Sequence, residues 1–271
     1  MQQQGTFCDF PGGDSWVILS PIEQSIKRKI EAVGTPLKDW DINIYRGVLT
    51  GYNEAFIIST EKRKEILDNC QTEDERKRTE ELIRPILRGR DIKRYGYEWA
   101  KLWLINTHNG VKGRIPRIRI EDYPAVKAHL DKYWDKIKDR ADQGDTPYNL
   151  RNCAYLEEFS KPKIIYNDIA QRLSFALCES GAFLNNTAYF FGSYNRDLLL
   201  YLLNVLNSKL IDWYYRTISV QLGEKAVRMF SIYVLRIPIP KEIQTLPDDD
   251  SVCRHYHLSE TEIAYLKTLD D

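Results

Sequence analysis

A segment in which cations alternate with apolar residues constrains this chain more than any other. Residues 83–95 read Ile-Arg-Pro-Ile-Leu-Arg-Gly-Arg-Asp-Ile-Lys-Arg-Tyr and hold five cations around a single acid, Asp91. The apolar residues predict a segment that is anchored in a core on one side and presents guanidinium groups on the other. Arginine binds phosphate with a planar fork and reads guanine through two hydrogen bonds. The segment is therefore a candidate for nucleic-acid contact, with a solvated basic turn as the alternative.

The charge is distributed unevenly along the chain. The 271 residues carry 39 Lys and Arg and 39 Asp and Glu, so the formal net charge is zero. Positions 1–241 hold 37 of the basic and 31 of the acidic residues, which gives a body at +6 and a C-terminal segment at −6. A basic body is the electrostatic requirement for a polyanionic partner.

Composition predicts a folded protein of the cytoplasm. Aromatic residues make up 12% of the chain, which argues against disorder. The five cysteines are scattered without a CxxC pair, as in proteins with reduced thiols. The chain opens without a signal-peptide pattern, and its longest apolar run, Leu198–Leu203, is too short to cross a bilayer. We therefore expect no membrane partner.

Local signals predict a mixed α/β (α+β) fold. A capping box at Ser20–Glu23, with proline at the first helical position, opens a helix that Gly34 ends. Apolar runs bounded by turn residues predict strands, and we expect a twisted, largely antiparallel sheet flanked by helices. Further helices are predicted within 61–81, from Pro124 and over 197–215, and strands at 55–58, 99–105, 163–166, 175–178, 188–191 and 232–237.

Changes in composition divide the chain into three parts. Residues 1–40 are predicted to be a lead-in and a connector helix, and residues 41–240 the main domain. Three prolines, Pro238, Pro240 and Pro247, and a run of acids follow. We therefore expect residues 241–271 to be an acidic tail outside the compact domain.

Sequence motifs of catalysis are absent. The chain has no GxGxxG, GxxxxGK[ST] or GxSxG motif, and its four histidines do not have the spacing of a metal site. It also has no Asn-Pro or Asp-Pro dipeptide, which excludes the Asp/Asn-Pro-Pro-Tyr/Phe signature of amino-methyltransferases. The residues alone predict a binding module without a catalytic residue, a cofactor or a metal of its own.

The candidate binding residues are basic, amide and aromatic side chains near predicted turns. Glycine at position 89 would allow the backbone to approach a partner closely. Asn, Gln and Arg are the side chains that read base edges, although Asn in a turn often stabilises the turn itself. The predicted contacts are Arg88, Arg90, Lys93, Arg94, Tyr95, Arg114, Arg117, Arg119, Gln171, Arg172, Asn185 and Asn186.

Two motifs in the chain resemble those of a known family. Residues 47–56, Gly-Val-Leu-Thr-Gly-Tyr-Asn-Glu-Ala-Phe, and the Leu-Arg-Gly-Arg-Asp-Ile segment at 87–92 are similar to motifs of the TaqI-like C-terminal specificity domain. The order of later segments is also similar: Tyr123-Pro124, residues 161–165 and residues 206–209. The resemblance covers residues 41–240.

The resemblance implies a target recognition domain that binds double-stranded DNA. Domains of this family belong to type IIG restriction–modification enzymes and adenine-specific DNA methyltransferases. It also implies an upstream methyltransferase domain in the same polypeptide, with or without a nuclease, where S-adenosylmethionine and Mg²⁺ would bind. Residues 51–53, 55 and 56 are expected to set the fold. The recognised DNA sequence is not transferable, because variable loops encode it.

Two other functions stay open from the sequence. The chain could be a stand-alone metal-dependent nuclease whose carboxylates are too dispersed to recognise. It could also be a protein-interaction module that docks an acidic partner on its basic face.

Overall fold

The computed structural model describes residues 19–223, 226–246 and 248–269, and the predicted lead-in at residues 1–14 lies outside these ranges. Within them, no helix is long and apolar enough to span a membrane. The helices are α1 (Pro21–Val33), α2 (Asn53–Phe56), α3 (Thr60–Asp68), α4 (Glu73–Leu82), α5 (Pro124–Asp131), α6 (Trp134–Ile137), α7 (Arg196–Asn207), α8 (Lys209–Ile218), α9 (Ser231–Val234), α10 (Asp249–His255) and α11 (Glu260–Thr268).

The strands are short and fall into several sheets. They are β1 (Thr35–Pro36), β2 (Tyr45–Arg46), β3 (Ile57–Ser59), β4 (Ile83–Leu87), β5 (Ile92–Lys93), β6 (Gly96–Tyr97), β7 (Leu102–Ile105), β8 (Lys163–Asn167), β9 (Ile169–Ala170), β10 (Phe175–Cys178), β11 (Phe183–Leu184), β12 (Ala188–Gly192), β13 (Gln221–Leu222), β14 (Ala226–Arg228) and β15 (Pro238–Ile239).

Two four-stranded sheets organise these elements. One has the order β10-β8-β12-β2 and the other the order β11-β4-β7-β3. Neighbouring strands run antiparallel, apart from the parallel pair β11–β4. The predicted mixed α/β class with largely antiparallel pairing is therefore confirmed. The expected single sheet is instead five sheets among the described residues, and the turn at residues 185–187 separates the two largest because it sends β11 and β12 into different ones.

Strand β8 lies between two hydrophobic cores. Ile164 and Tyr166 belong to the first core, with residues of α1, α7, α8, α10 and α11. Ile165 belongs to the second core, with residues of β3, β4, β7, α3 and α5. Because successive side chains of a strand point to opposite faces, both cores draw on β8. This explains why residues 164–166 in the middle of β8 are all apolar.

The predicted first helix is confirmed. The carboxylate of Glu23 accepts a hydrogen bond from the backbone N–H of Ser20 at 2.7 Å, and the Ser20 hydroxyl accepts one from the backbone N–H of Glu23 at 3.4 Å. Ile26 and Ile30 are fully buried in the first core. The connector helix is therefore part of the same folded body as the sheets.

Four predicted elements differ in detail. The helix predicted from Pro124 to residue 140 is instead two helices, α5 and α6. The run 55–58 is divided between α2 and β3. The predicted helix over 197–215 is two helices, because the Ser208 hydroxyl accepts a hydrogen bond from the Ile211 backbone N–H at 3.3 Å and caps α8. Residues 232–237 form no strand but contain most of α9, and the final strand is β15, which pairs with β1. Tertiary pairing outweighs strand propensity there.

The acidic C-terminal segment is part of the first core, so the folded domain does not end near residue 240. Helices α10 and α11 each bury one apolar face in that core. Tyr256 is fully buried and donates a hydrogen bond to the Pro238 carbonyl at 2.7 Å. Two acids that suggested a solvated tail, Asp248 and Glu262, instead complete the capping boxes of α10 and α11.

Glu262 also joins the last helix to the first. Its carboxylate accepts hydrogen bonds from the Lys29 ammonium at 2.7 Å and the Ser25 hydroxyl at 2.8 Å. Burial acts to raise the pKa of Glu262, but the hydrogen bonds from Lys29, Ser259 and Ser25 outweigh it and lower the pKa to about 2. The charged carboxylate is therefore the form that stabilises the fold.

We predict that Ile263→Ala in α11 lowers the free energy of unfolding by about 2–5 kcal/mol, because Ile263 is 2% exposed in the first core. Ile243→Ala, at a 43% exposed position in the same segment, is the matched control and should change it by less than about 0.5 kcal/mol. Urea unfolding followed by circular dichroism measures both. Equal, small effects would mean that the C-terminal helices do not belong to the core.

We predict that Glu262→Gln destabilises the protein at neutral pH and that this difference shrinks as the pH falls. The pKa of Glu262 is lower in the folded state than the ordinary value near 4.3, so its contribution is complete above about pH 4.3 and is lost toward pH 2. Chemical unfolding over a pH series tests this. The control is Glu260→Gln, two residues earlier in α11 and 80% exposed, which should show little dependence on pH.

Candidate nucleic-acid interface

Arg88 closes a turn within the chain instead of extending freely. Its guanidinium donates hydrogen bonds to both carboxylate oxygens of Asp91, at 3.0 and 2.7 Å, and its backbone N–H donates a third at 2.8 Å. Burial acts to raise the pKa of Asp91, but the contacts with Arg88 outweigh it and hold the pKa below its usual range. This bidentate pair shapes the turn at residues 89–91, which does not fit the predicted role of Arg88 as a free phosphate anchor.

Arg94 likewise has partners inside the protein. Its guanidinium donates two hydrogen bonds to the Asn207 carbonyl, at 3.1 and 2.7 Å, and lies 3.8 Å from Asp249. It also lies over the ring of Tyr95, which is exposed and adopts a φ of 68°. Arg94 therefore joins the predicted basic segment to α7 and α10.

Arg90 and Lys93 are the exposed cations of the segment. The Lys93 ammonium donates to the Arg90 carbonyl at 3.2 Å, which leaves two further N–H donors. The Arg90 guanidinium has no hydrogen-bond or ion-pair partner among the described residues. Of the four cations predicted to bind phosphate here, these two are the ones available to do so.

The turn at residues 185–187 is held by its own side chains. Asn185 is 5% exposed, and its amide oxygen accepts hydrogen bonds from the backbone and hydroxyl of Thr187. The Thr187 hydroxyl accepts a hydrogen bond from the Gly89 backbone N–H at 2.9 Å. Asn185 thus stabilises the turn, which is the alternative that the sequence left open. The group that the Gly89 backbone approaches closely is Thr187 of the same chain.

A second group of predicted contacts, Arg114, Arg117 and Arg119, lies on or beside a loop at residues 110–117, within which Val111 and Ile115 form a bridge. Arg114 is 58% exposed and pairs with Glu157 at 2.7 Å, and Arg117 pairs with Asp145 at 3.2 Å. Lys112 and Arg119 are exposed and have no partner among the described residues. The loop borders an open cavity of about 800 Å³ that Asp145 and Asn152 also line.

Arg46 connects the two clusters, and the sequence analysis missed it. Its Nε donates to the Asn186 carbonyl at 2.9 Å, next to the residue that Gly89 contacts. Its own carbonyl accepts a hydrogen bond from the Tyr155 hydroxyl at 3.0 Å, and the neighbouring Ala154 carbonyl accepts one from Arg114 at 3.3 Å. Contacts therefore run without a break from one cluster to the other. We name these cations the basic band: Arg90, Arg46, Lys112, Arg114 and Arg117.

One sequence signal could have found Arg46. It directly precedes Gly47, the first residue of the family motif. The contacts that fix Gly47 also hold the exposed Arg46 beside it in position.

Gln171 and Arg172 lie away from the basic band, in the turn after β9. Their side chains are exposed, and the Gln171 carbonyl accepts a hydrogen bond from Arg216. Strand β9 is joined to the turn at 185–187 through Asp168, whose backbone N–H donates to the Thr187 carbonyl at 3.0 Å.

A buried arginine holds the loop at 141–152, which borders the basic loop at 110–117. Arg140 donates hydrogen bonds to the carbonyls of Thr50, Ile137, Pro147 and Asn149, and its guanidinium lies 4.5 Å from the centre of the Phe56 ring. Burial lowers its pKa to about 10, so it stays charged at neutral pH. Arg140 thereby ties the motif at 47–56 to the loop at 141–152, and this motif is occupied by internal contacts.

Comparison with known proteins identifies the family. Residues 84–239, more than half of the chain, match the model of the TaqI-like C-terminal specificity domain. The chain belongs to this family, as its motifs predicted. A search of curated proteins gives no match.

Two solved structures have a similar fold. The type IIL restriction–modification enzyme MmeI, in complex with DNA, is 14% identical with a TM-score of 0.52, over 86% of this chain and 28% of that chain. The type IIG restriction endonuclease BpuSI is 15% identical with a TM-score of 0.54, over 91% of this chain and 31% of that one. At these identities the likeness concerns the fold alone, and the chain spans less than a third of either protein.

We predict that Gly89→Ala lowers the free energy of unfolding by about 1–3 kcal/mol, because a Cβ there would lie 2.5 Å from the Thr187 carbonyl oxygen. Gly96→Ala is the matched control, since a Cβ at Gly96 would meet nothing within 4 Å. Denaturant unfolding of the two variants measures the difference. If both variants unfold like the parent protein, the turn at 185–187 does not pack tightly against Gly89.

Proposed function

We propose that this chain recognises a double-stranded DNA sequence as the specificity domain of a larger restriction–modification enzyme and is not catalytic by itself. Membership of the TaqI-like specificity family supports this role. So does the fold shared with MmeI, which was solved with DNA, and with BpuSI.

The observation that carries the proposal is the basic band. Its cations are exposed, and hydrogen bonds join the segments that carry Arg90, Arg46 and Arg114. In this proposal one DNA backbone meets all of the cations of the band. In this proposal Arg90, Arg46 and Lys112 bind phosphate, with Lys93, Arg117 and Arg119 beside them. Phosphate contacts fix the position of the protein on the duplex but carry no sequence information. Exposed polar side chains along the same surface would read base edges in the major groove.

The catalytic parts would lie elsewhere in the parent protein. We propose an upstream methyltransferase domain that modifies adenine with S-adenosylmethionine, with or without a nuclease that uses Mg²⁺. Such an enzyme acts on a base that has left the helical stack and entered its active-site pocket. The specificity domain contributes by holding the duplex in register while this happens.

The two other functions can be separated from this one by simple assays. A stand-alone nuclease would cut DNA when the pure chain is given Mg²⁺. Among the described residues, no group of three or more His, Cys, Asp and Glu is arranged to hold a metal ion. A protein-interaction module would bind duplex DNA no better than another polyanion of equal charge.

We predict that Arg90→Ala, Arg46→Ala and Lys112→Ala each weaken binding to all duplexes about equally. Each lost phosphate contact should reduce the slope of log affinity against log salt by about 0.9. Fluorescence anisotropy over a salt series, with a selected duplex and a scrambled one, measures this. Lys64→Ala, an exposed cation on α3 at the far edge of the second sheet, is the matched control.

Two outcomes would change the assignment. If one variant loses about 1–3 kcal/mol on the selected duplex only, that residue reads a guanine instead of binding phosphate. If all three variants bind like the parent protein at every salt concentration, the basic band is not the DNA-binding surface.

A further inference from the structure

The turn between β5 and β6 presents an exposed aromatic ring beside two cations. Strand β5 ends at Lys93 and β6 begins at Gly96, so Arg94 and Tyr95 form the turn. Tyr95 is 46% exposed, whereas most of the described aromatic residues are buried or half-buried. The Lys93 ammonium donates to the Arg90 carbonyl at 3.2 Å. The turn therefore lies beside the two cations of this segment that are free to bind phosphate.

The backbone of Tyr95 has a conformation that tyrosine seldom adopts. Its φ of 68° lies in the left-handed region, where the Cβ of an L-residue is crowded and where glycine or asparagine is usual. Strain of this kind persists where the surrounding structure enforces it, and it is concentrated at sites that bind ligands. Because glycine would remove the strain, its presence at Tyr95 indicates a role for the aromatic side chain.

Internal contacts hold Tyr95 in this position. Its backbone N–H donates a hydrogen bond to the Phe175 carbonyl at 2.8 Å. The Arg94 guanidinium lies 5.0 Å from the centre of the Tyr95 ring, and the Asn207 carbonyl holds that guanidinium through two hydrogen bonds, at 3.1 and 2.7 Å. The ring is thus ordered before a ligand binds, which reduces the entropic cost of binding.

We propose that Tyr95 is a platform on which one unpaired nucleobase stacks. Proteins that hold unpaired bases combine cations that bind the backbone with aromatic rings on which the bases stack. Here Arg90 and Lys93 supply the cations and Tyr95 supplies the ring. In an intact duplex both faces of a base are covered by its neighbours, so only a base outside the stack can use this platform.

This inference rests on the proposed function. A methyltransferase that extrudes an adenine opens one base pair of the bound duplex. Tyr95 would hold a base that this opening exposes, while Arg90 and Lys93 bind the phosphates beside it. Stacking tolerates any base because every base has a π-face, so Tyr95 would stabilise the opened site without reading its sequence.

Matched duplexes test the proposal with the 271-residue chain. Three duplexes share one sequence and differ at one internal position, which is fully paired, carries an unpaired adenine or carries an unpaired sugar without a base. We expect the duplex with unpaired adenine to bind about tenfold more tightly than the one with the baseless sugar, because a base gains about that factor by stacking on an aromatic ring. The baseless sugar controls for the flexibility that any unpaired position gives a duplex.

Two substitutions of Tyr95 isolate the contribution of the ring. Tyr95→Phe keeps the ring and should keep the preference for the unpaired adenine. Tyr95→Gly should abolish this preference and leave binding to the paired duplex within about twofold of the parent protein, since it removes no charge. It also relieves the strain, so its midpoint in urea should be no lower than that of the parent. His257→Gly is the matched control, because His257 is exposed, has a φ of 58° and lies between α10 and α11.

A fluorescent base reports stacking directly. The base 2-aminopurine, in place of the unpaired adenine, loses fluorescence when it stacks on an aromatic ring. Binding of the parent chain, of Tyr95→Phe and of His257→Gly should therefore lower the fluorescence. Binding of Tyr95→Gly should leave it nearly unchanged.

The outcomes separate this inference from the function on which it rests. If the paired duplex binds but the unpaired adenine gives no advantage over the baseless sugar, or if Tyr95→Gly keeps that advantage, Tyr95 is not a platform for a base. A lower urea midpoint for Tyr95→Gly than for the parent would also overturn the proposal, because the ring would then serve the fold. If no duplex binds at all, the proposed function fails as well.

Discussion

The position of the two sheets depends on one close contact, the packing of the turn at 185–187 between two glycines. A Cβ at Gly47 would lie 2.0 Å from the Asn185 carbonyl oxygen, and one at Gly89 would lie 2.5 Å from that of Thr187. Because β11 and β12 leave this turn into different sheets, the contact fixes one sheet against the other. Arg46 and Arg90 are the chain neighbours of these glycines. The same contact therefore holds two cations of the basic band in place.

Buried cations show why positive charge in this sequence is a poor guide to the binding surface. Lys163 is fully buried, and its ammonium donates to the carbonyls of Phe159, Lys161 and Ser180. Arg140 donates to four carbonyls in the same manner. Both satisfy backbone groups that loops leave without secondary-structure partners. The excess of positive charge in residues 1–241 thus includes cations that build the fold.

Sequence reasoning succeeded where the signal is local. The capping box at Ser20 and the apolar strands at 163–166, 175–178 and 188–191 depend on neighbours in sequence, and the structure contains them. It failed for the segment after residue 240, because the charges of α10 and α11 are visible in the sequence but their apolar partners on α1 and α8 are far away along the chain. The internal partner of Arg94 was missed for a similar reason. Whether an arginine is free depends on its partners, and Asn207 cannot be paired with Arg94 from the sequence.

Two cations of the basic band are already paired with carboxylates, and these ion pairs affect how the band distinguishes one duplex from another. Arg114 pairs with Glu157 and Arg117 with Asp145, in ion pairs whose side chains are all at least 39% exposed. Such exposed pairs contribute only about 0–1 kcal/mol, so a phosphate can replace the carboxylate at small cost. Arg90 and Lys112 have no such competitor among the described residues and would bind any duplex. Under the proposed function, non-specific binding would be limited to the unpaired cations, and Arg114 and Arg117 would engage only a backbone that comes close enough to displace their acids.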